Sequence, residues 1–129
     1  MKEQIEHDLA ANQVVLYMKG LPGDSPCGYS SRMVGMLDHI GVDYVTRDVL
    51  ASNGLRTGIK TYSGVKTLPQ LFINGKFAGG TDNIRELFET KRLQAFLGDH
   101  GIAIDPENLE IELLISDVSR DEKIACAAN

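Results

Sequence analysis

The chain has 129 residues, enough for one domain with its own core and too few for two. It is 43% hydrophobic and 24% charged, which excludes a disordered chain. Its net charge of −5, with no basic run to collect phosphates, argues against nucleic acid as a main partner.

No apolar stretch reaches membrane-spanning length, and the charged start MKEQIEHDLAANQ lacks the apolar core of a signal peptide. Two cysteines, Cys27 and Cys126, make no disulfide framework. A reducing, cytoplasmic location is therefore expected, where thiols are kept for reactivity or for metals.

Ile5 and Leu9 lie one turn apart among polar residues, so the spacing predicts a short helix over 3–11. VVLYMK (14–19) is a β-branched and aromatic run that reads as a buried strand. A turn, GLPGDSP, leads to a helix over about 28–39, with Met33, Leu37 and Ile40 on one face and Gly41 as its stop. DYVTRDV (43–49) reads as a second strand, and Leu55, Ile59 and Tyr62 predict a helix over about 52–62. In LFINGKFAGG two apolar runs flank Asn74-Gly75, a dipeptide that favours a two-residue hairpin turn. A last helix starts near Thr81-Asp82-Asn83, turns Ile84, Leu87 and Phe88 inward, and runs or breaks through KRLQAFLGDHG. This α-β-α-β-α-β-β-α order predicts an α/β domain, a mixed four-stranded sheet with helices on both faces. Residues 1–104 form that domain, and the acidic, then apolar, then polar stretch 105–129 is set apart as a C-terminal tail.

Four features point to chemistry. In SPCGYSS (25–31), Cys27 opens a helix where a C-x-x-C redox site would carry its second thiol at Ser30. Unpaired N–H groups at a helix start favour thiolate over thiol, and Lys19 adds a positive charge nearby. An unpaired cysteine is also a small buried hydrophobe, but Pro26, Gly28 and the strand-to-helix turn favour an exposed, reactive thiol. Pro69 in TLPQLFI cannot donate to a sheet ladder. A trans bond is the commoner case; a cis Leu68–Pro69 bond would turn the Leu68 backbone groups outward beside the thiol, free to pair with an extended peptide. Arg56 and Lys60, four apart, repel unless an anion sits between them, and otherwise form a solvated face. Gly79-Gly80-Thr81-Asp82 ends a strand and opens a helix whose N–H groups suit a carboxylate. Asp82 there is either a cap or the receiver of an ammonium group.

Together, Lys19-Gly20, Cys27-Gly28-Tyr29-Ser30, Arg56, Lys60, Thr67-Leu68-Pro69-Gln70 and Gly79-Gly80-Thr81-Asp82 resemble, in order and spacing, the monothiol glutaredoxins of the thioredoxin fold. The resemblance covers about residues 3–100. It implies a cis Pro69 and glutathione as ligand. By that resemblance Cys27 faces the glutathione sulfur, and Leu68 pairs with the cysteinyl backbone. Lys19, Arg56 and Lys60 hold the glycyl carboxylate, Thr81 and Asp82 take the γ-glutamyl end, and Tyr29, Thr67, Pro69 and Gly80 complete the binding set. It further implies a homodimer bridged by a [2Fe–2S] cluster, or a monomer when apo, with client iron–sulfur apoproteins and a role in cluster assembly, transfer and iron homeostasis. Each subunit would give the Cys27 thiolate and one glutathione thiolate, the four thiolates such a cluster takes. The alternative is a weak glutathione-dependent oxidoreductase acting on mixed disulfides. Departures from the family pattern are Tyr29 for Phe, Val65-Lys66 for a Trp-Pro pair, Thr81 for Cys or Ser, and a proline displaced to Pro26. Cys126 is either a resolving thiol or an incidental one, and His7, His39 and His100 lack metal-ligand spacing.

Overall fold

The structure is a computed structural model and describes residues 1–104. The expected tail 105–129, with Cys126, lies outside the described residues.

Nine elements follow in chain order: α1 (Lys2–Ala11), β1 (Val14–Met18), α2 (Gly28–Ile40), β2 (Val45–Asp48), α3 (Asn53–Ser63), β3 (Gln70–Ile73), β4 (Lys76–Gly79), α4 (Thr81–Glu89) and α5 (Leu93–Asp99). The strands form one sheet in the order β2-β1-β3-β4. β2 runs parallel to β1, whereas β3 is antiparallel to β1 and β4 antiparallel to β3.

The apolar run of β1 is explained by its central place. Val14, Leu16 and Met18 point into a core shared with Met33, Leu37 and Ile40 of α2 and Ile84 and Phe88 of α4. Val15 and Tyr17 point the other way, against Ile5 and Leu9 of α1 and Leu55 and Ile59 of α3. A strand covered on both faces has no solvent side and so shows no polar alternation. On the second face, a bidentate Arg47–Asp8 ion pair (3.0 and 3.2 Å) also ties β2 to α1.

The expected hairpin forms at Asn74-Gly75, where both residues adopt positive φ (51° and 82°), the conformation a two-residue turn demands. The last helical stretch breaks: Lys91 takes φ 62°, and α5 restarts at Leu93 so that Leu93 and Leu97 reach the α2/α4 core. The N-cap of α4 is Gly80, whose N–H donates to Asn83 Oδ1 (3.2 Å), and Asp82 sits exposed in the first turn; the cap reading of Asp82 is therefore corrected. Leu68–Pro69 is cis, as the family resemblance implies. Ile104 forms a bridge with Val42 at the end of the described chain.

Candidate functional site

β1 ends at Met18 and delivers Lys19 and Gly20 to the loop before Cys27. Gly20 has φ 85°, and a Cβ there would lie 2.8 Å from the Asp24 carbonyl oxygen, so only glycine fits this turn. Asp48, at the end of β2, accepts the N–H groups of Gly20 and Leu50 through one oxygen, each at 2.8 Å. Ser25 donates to the Lys19 carbonyl and accepts the Cys27 N–H (3.1 Å). Two side chains thus fix the loop that presents the thiol.

Cys27 is the N-cap residue of α2, in extended conformation, and is half-buried where the sequence suggested an exposed thiol. Ser30 is fully buried. Its oxygen accepts the Lys19 N–H at 3.2 Å, and its own proton goes to the Cys27 sulfur. Burial pushes the thiol up. Hydrogen bonds from the Ser30 hydroxyl and from the Ser30 and Tyr29 N–H groups, with the Lys19 charge, outweigh it and hold Cys27 below the ordinary cysteine value. The hydroxyl that replaces the second thiol therefore stabilises the first as thiolate.

A cleft of about 470 Å³ opens beside this loop. It is lined by Lys19 and Tyr29 from either side of the thiol loop, Lys60 of α3, Lys66, Thr67 and Leu68 of the cis-proline loop, and Thr81 and Asp82 at the start of α4. Cys27 does not itself line the cavity, but its neighbour Tyr29 and its electrostatic partner Lys19 do. Pro69 and Gly80, next in sequence to the lining residues Leu68 and Thr81, lie close together, with the Pro69 carbonyl oxygen 3.5 Å from where a Gly80 Cβ would stand. The buried Thr81 hydroxyl donates to the Tyr29 carbonyl (3.0 Å) and so ties the start of α4 to the first turn of α2. The amide and carbonyl of Leu68 make no hydrogen bond among the described residues.

Of the expected site residues outside the cleft lining, Arg56 lies in a groove that adjoins it through Lys60 and Lys66. Thr57 and Thr61 also line this groove, which holds about 360 Å³. Lys19, Arg56, Lys60 and Lys66 form no ion pair among the described residues. Sequence reasoning missed the supporting residues Ser25, Asp48 and Gln70. The last is fully buried and donates through Nε2 to the carbonyls of Val65 (2.8 Å) and Thr67 (3.1 Å), pinning the loop that carries Lys66. Only Ser25, a turn-type hydroxyl just before the cysteine, left a local signal.

The Glutaredoxin family model matches residues 14–78, which hold the strand, the thiol loop and the cis-proline turn. A monothiol glutaredoxin of Synechocystis sp., itself uncharacterized, is 41% identical over 96 residues, covering 74% of this chain and 90% of that protein. The chain belongs to the glutaredoxin family. Monothiol glutaredoxin-4 of Schizosaccharomyces pombe is 37% identical over 75% of this chain and 40% of its own length. Among solved structures, a monomeric truncated mutant of Trypanosoma brucei 1-C-Grx1 superposes with a TM-score of 0.73 at 38% identity, covering 81% of this chain and 94% of that one. A buckwheat glutaredoxin in complex with glutathione gives 0.66 at 25% identity, over 78% and 89%. With Ser30 in place of a second thiol, this glutaredoxin is of the monothiol kind and has the thioredoxin fold.

Proposed function

We propose that this glutaredoxin binds glutathione in the cleft with its sulfur facing Cys27, and that two such subunits carry a [2Fe–2S] cluster as cargo for client iron–sulfur apoproteins. One observation carries the reading: a lone cysteine, its thiolate form favoured by Ser30, stands beside a cleft lined by Lys19, Lys60 and Lys66, which form no ion pair among the described residues, and by Thr81 and Asp82 at the start of α4. The free Leu68 backbone pairs with the cysteinyl residue as an added strand would. Lys19, Arg56 and Lys60 attract the glycyl carboxylate. The γ-glutamyl carboxylate meets the N–H groups at the start of α4, and its ammonium meets Asp82. Tyr29 and Thr67 wall the peptide, while Pro69 and Gly80 shape the backbone behind it.

Among the described residues Cys27 is the sole cysteine, and no group of three or more His, Cys, Asp or Glu side chains converges to hold a metal ion. The described residues therefore offer one cysteine sulfur, which suits a cluster whose other ligands are bound glutathione and a second subunit. A reducing compartment such as the cytoplasm suits this free thiolate.

The lowered pKa of Cys27 favours a second reading, glutathione-dependent reduction of mixed disulfides. The thiolate attacks the glutathionyl sulfur, the client leaves as thiolate, and a Cys27–glutathione disulfide forms. A second glutathione thiolate attacks the bound glutathionyl sulfur, releases glutathione disulfide and restores Cys27. The Ser30 hydroxyl forms no disulfide, so this second step requires glutathione from solution.

Calorimetry with reduced glutathione is expected to give heat of association that Lys60→Gln weakens; no heat at millimolar ligand overturns the binding reading. Purification without oxygen separates the two uses. Brown protein whose charge-transfer absorption is lost in Cys27→Ser supports cluster transport. Colourless protein after reconstitution, with fast glutathione-dependent disulfide reduction, supports the oxidoreductase instead.

A further inference from the structure

Of the four methionines, three are sealed in the core: Met18 and Met33 are fully buried and Met36 all but so. Met1 is 47% exposed, yet its side chain is seated. It is the N-cap residue of α1, its carbonyl accepts the Ile5 N–H (3.0 Å), and its side chain lies against α3. Gly54 and Gly58, one turn apart on that helix, make the room. A Cβ on Gly54 would stand 3.3 Å from Met1 Cε, and a Cβ on Gly58 would overlap Met1 Cγ and approach Ile5 Cδ1 (3.6 Å). Glycine inside a helix is costly relative to alanine, and here the pair fits the side chain it accommodates. Met1 thus continues the seam in which Ile5 and Leu9 of α1 meet Leu55 and Ile59 of α3. The same helix carries Arg56 and Lys60, the cations of the cleft and its adjoining groove.

We propose that Met1 is an oxidation site: peroxide converts its thioether to the sulfoxide, which loosens α3 from α1 and with it the cation-bearing side of the cleft. Hydrogen peroxide gives one oxygen atom to the sulfur, its O–O bond breaks, and the remaining atoms leave as water; sulfur is oxidised and peroxide reduced. Exposure selects the residue, because the buried side chains of Met18, Met33 and Met36 are closed to solvent. The product is polar where the thioether was apolar and adaptable. An S=O dipole pressed against glycine backbone atoms and Ile5 loses water without a gain in packing, so the side chain leaves the seam. Sulfoxide reductases restore the thioether, which makes the change reversible. The consequence for glutathione rests on the binding reading above; the loosening of the seam does not.

The test uses the full chain, released without extra residues from a cleavable N-terminal fusion so that residue 1 can be varied. It is treated with dilute hydrogen peroxide and then with dithiothreitol, which returns cysteine disulfides and sulfenic acid to thiol and leaves the sulfoxide. Peptide mass mapping should place one added oxygen on the peptide bearing Met1 and none on those bearing Met18, Met33 and Met36. The melting temperature should fall by about 3 °C and glutathione affinity by about threefold, and sulfoxide reductase should restore both. Met1→Leu, which keeps the apolar volume, should melt and bind like the untreated chain before and after peroxide. Gly58→Ala, whose Cβ already displaces Met1, should cancel most of the peroxide effect. Oxygen on the buried methionines ahead of Met1 overturns the assignment. So does a chain oxidised at Met1 that melts unchanged, or a Met1→Leu chain that loses as much stability as wild type. Lower melting with unchanged glutathione affinity overturns the link to the cleft. A chain that binds no glutathione even before treatment overturns the glutathione reading, while the melts still decide the seam.

Discussion

Gln70 offers the sharpest test of how this site is held. Its carboxamide is fully buried, and Nε2 joins Val65 and Thr67, the residues on either side of Lys66. Gln70→Met keeps the length of the side chain and removes both bonds. Each is worth about 1 kcal/mol net, so about 2 kcal/mol of stabilisation is lost. Part of it returns, because Gln70 Oε1 is buried without a partner among the described residues and methionine does not bury that oxygen. The Thr67 carbonyl, on an exposed residue, also regains water. The balance is a loss of about 1 kcal/mol, or about 5 °C in Tm for a domain of this size. Gln70→Glu sharpens the contrast. Its carboxyl would face two carbonyl oxygens and must keep a proton to donate, so folding raises its pKa above the unfolded value. The stability it contributes is present below the unfolded pKa and is lost as pH rises through the folded one. Thermal melts followed by circular dichroism at about pH 4 and about pH 8 should show Gln70→Glu falling further below wild type at the higher pH. Glutathione binding should weaken in both variants as the Lys66 loop loosens. A Gln70→Met protein that melts with wild type, together with a Gln70→Glu protein indifferent to pH, would refute the pinning of this loop.

Ser30→Ala removes the hydroxyl that donates to the Cys27 sulfur, so the pH at which iodoacetamide reactivity rises should move up and the rate near neutrality should fall; superimposable profiles would contradict the assigned role. Asp48→Ala leaves the Gly20 and Leu50 N–H groups without their acceptor and should cost about 1–3 kcal/mol in denaturant unfolding, with slower Cys27 alkylation from a loosened loop. Leu16→Ala empties a fully buried position on the central strand and should cost about 2–5 kcal/mol while leaving the alkylation profile of the folded protein unchanged. Retained stability in Leu16→Ala would show that the α2/α4 core does not depend on that side chain.

The parts of the site legible in the sequence were those with local signatures. Cys27 at a helix start, Pro69 before β3 and the paired glycines before α4 each combine a residue type with an adjacent boundary. What was not legible came from contacts between distant segments. Asp48 reaches Gly20 across 28 positions, and Thr81 reaches Tyr29 across 52; neither spacing leaves a pattern along the chain. Arg56 and Lys60 were legible as one stripe of α3, and the structure sets Arg56 in a groove that adjoins the cleft through Lys60 and Lys66.

The amino-acid order determined by itself the α/β alternation, the two-sided core and the hairpin, because side-chain periods of 2 and 3.6 residues are properties of neighbouring positions. It also determined that the motif carries one thiol and not two. The sheet pairing and the three-dimensional meeting of β1, α2 and the cis-proline loop decided the rest: that Ser30 hydrogen-bonds the Cys27 sulfur, that Lys19, Lys60 and Lys66 line one cleft, and that the Leu68 backbone makes no hydrogen bond among the described residues. Charge and hydrogen bonding act through distance in space, and only the packed chain sets those distances.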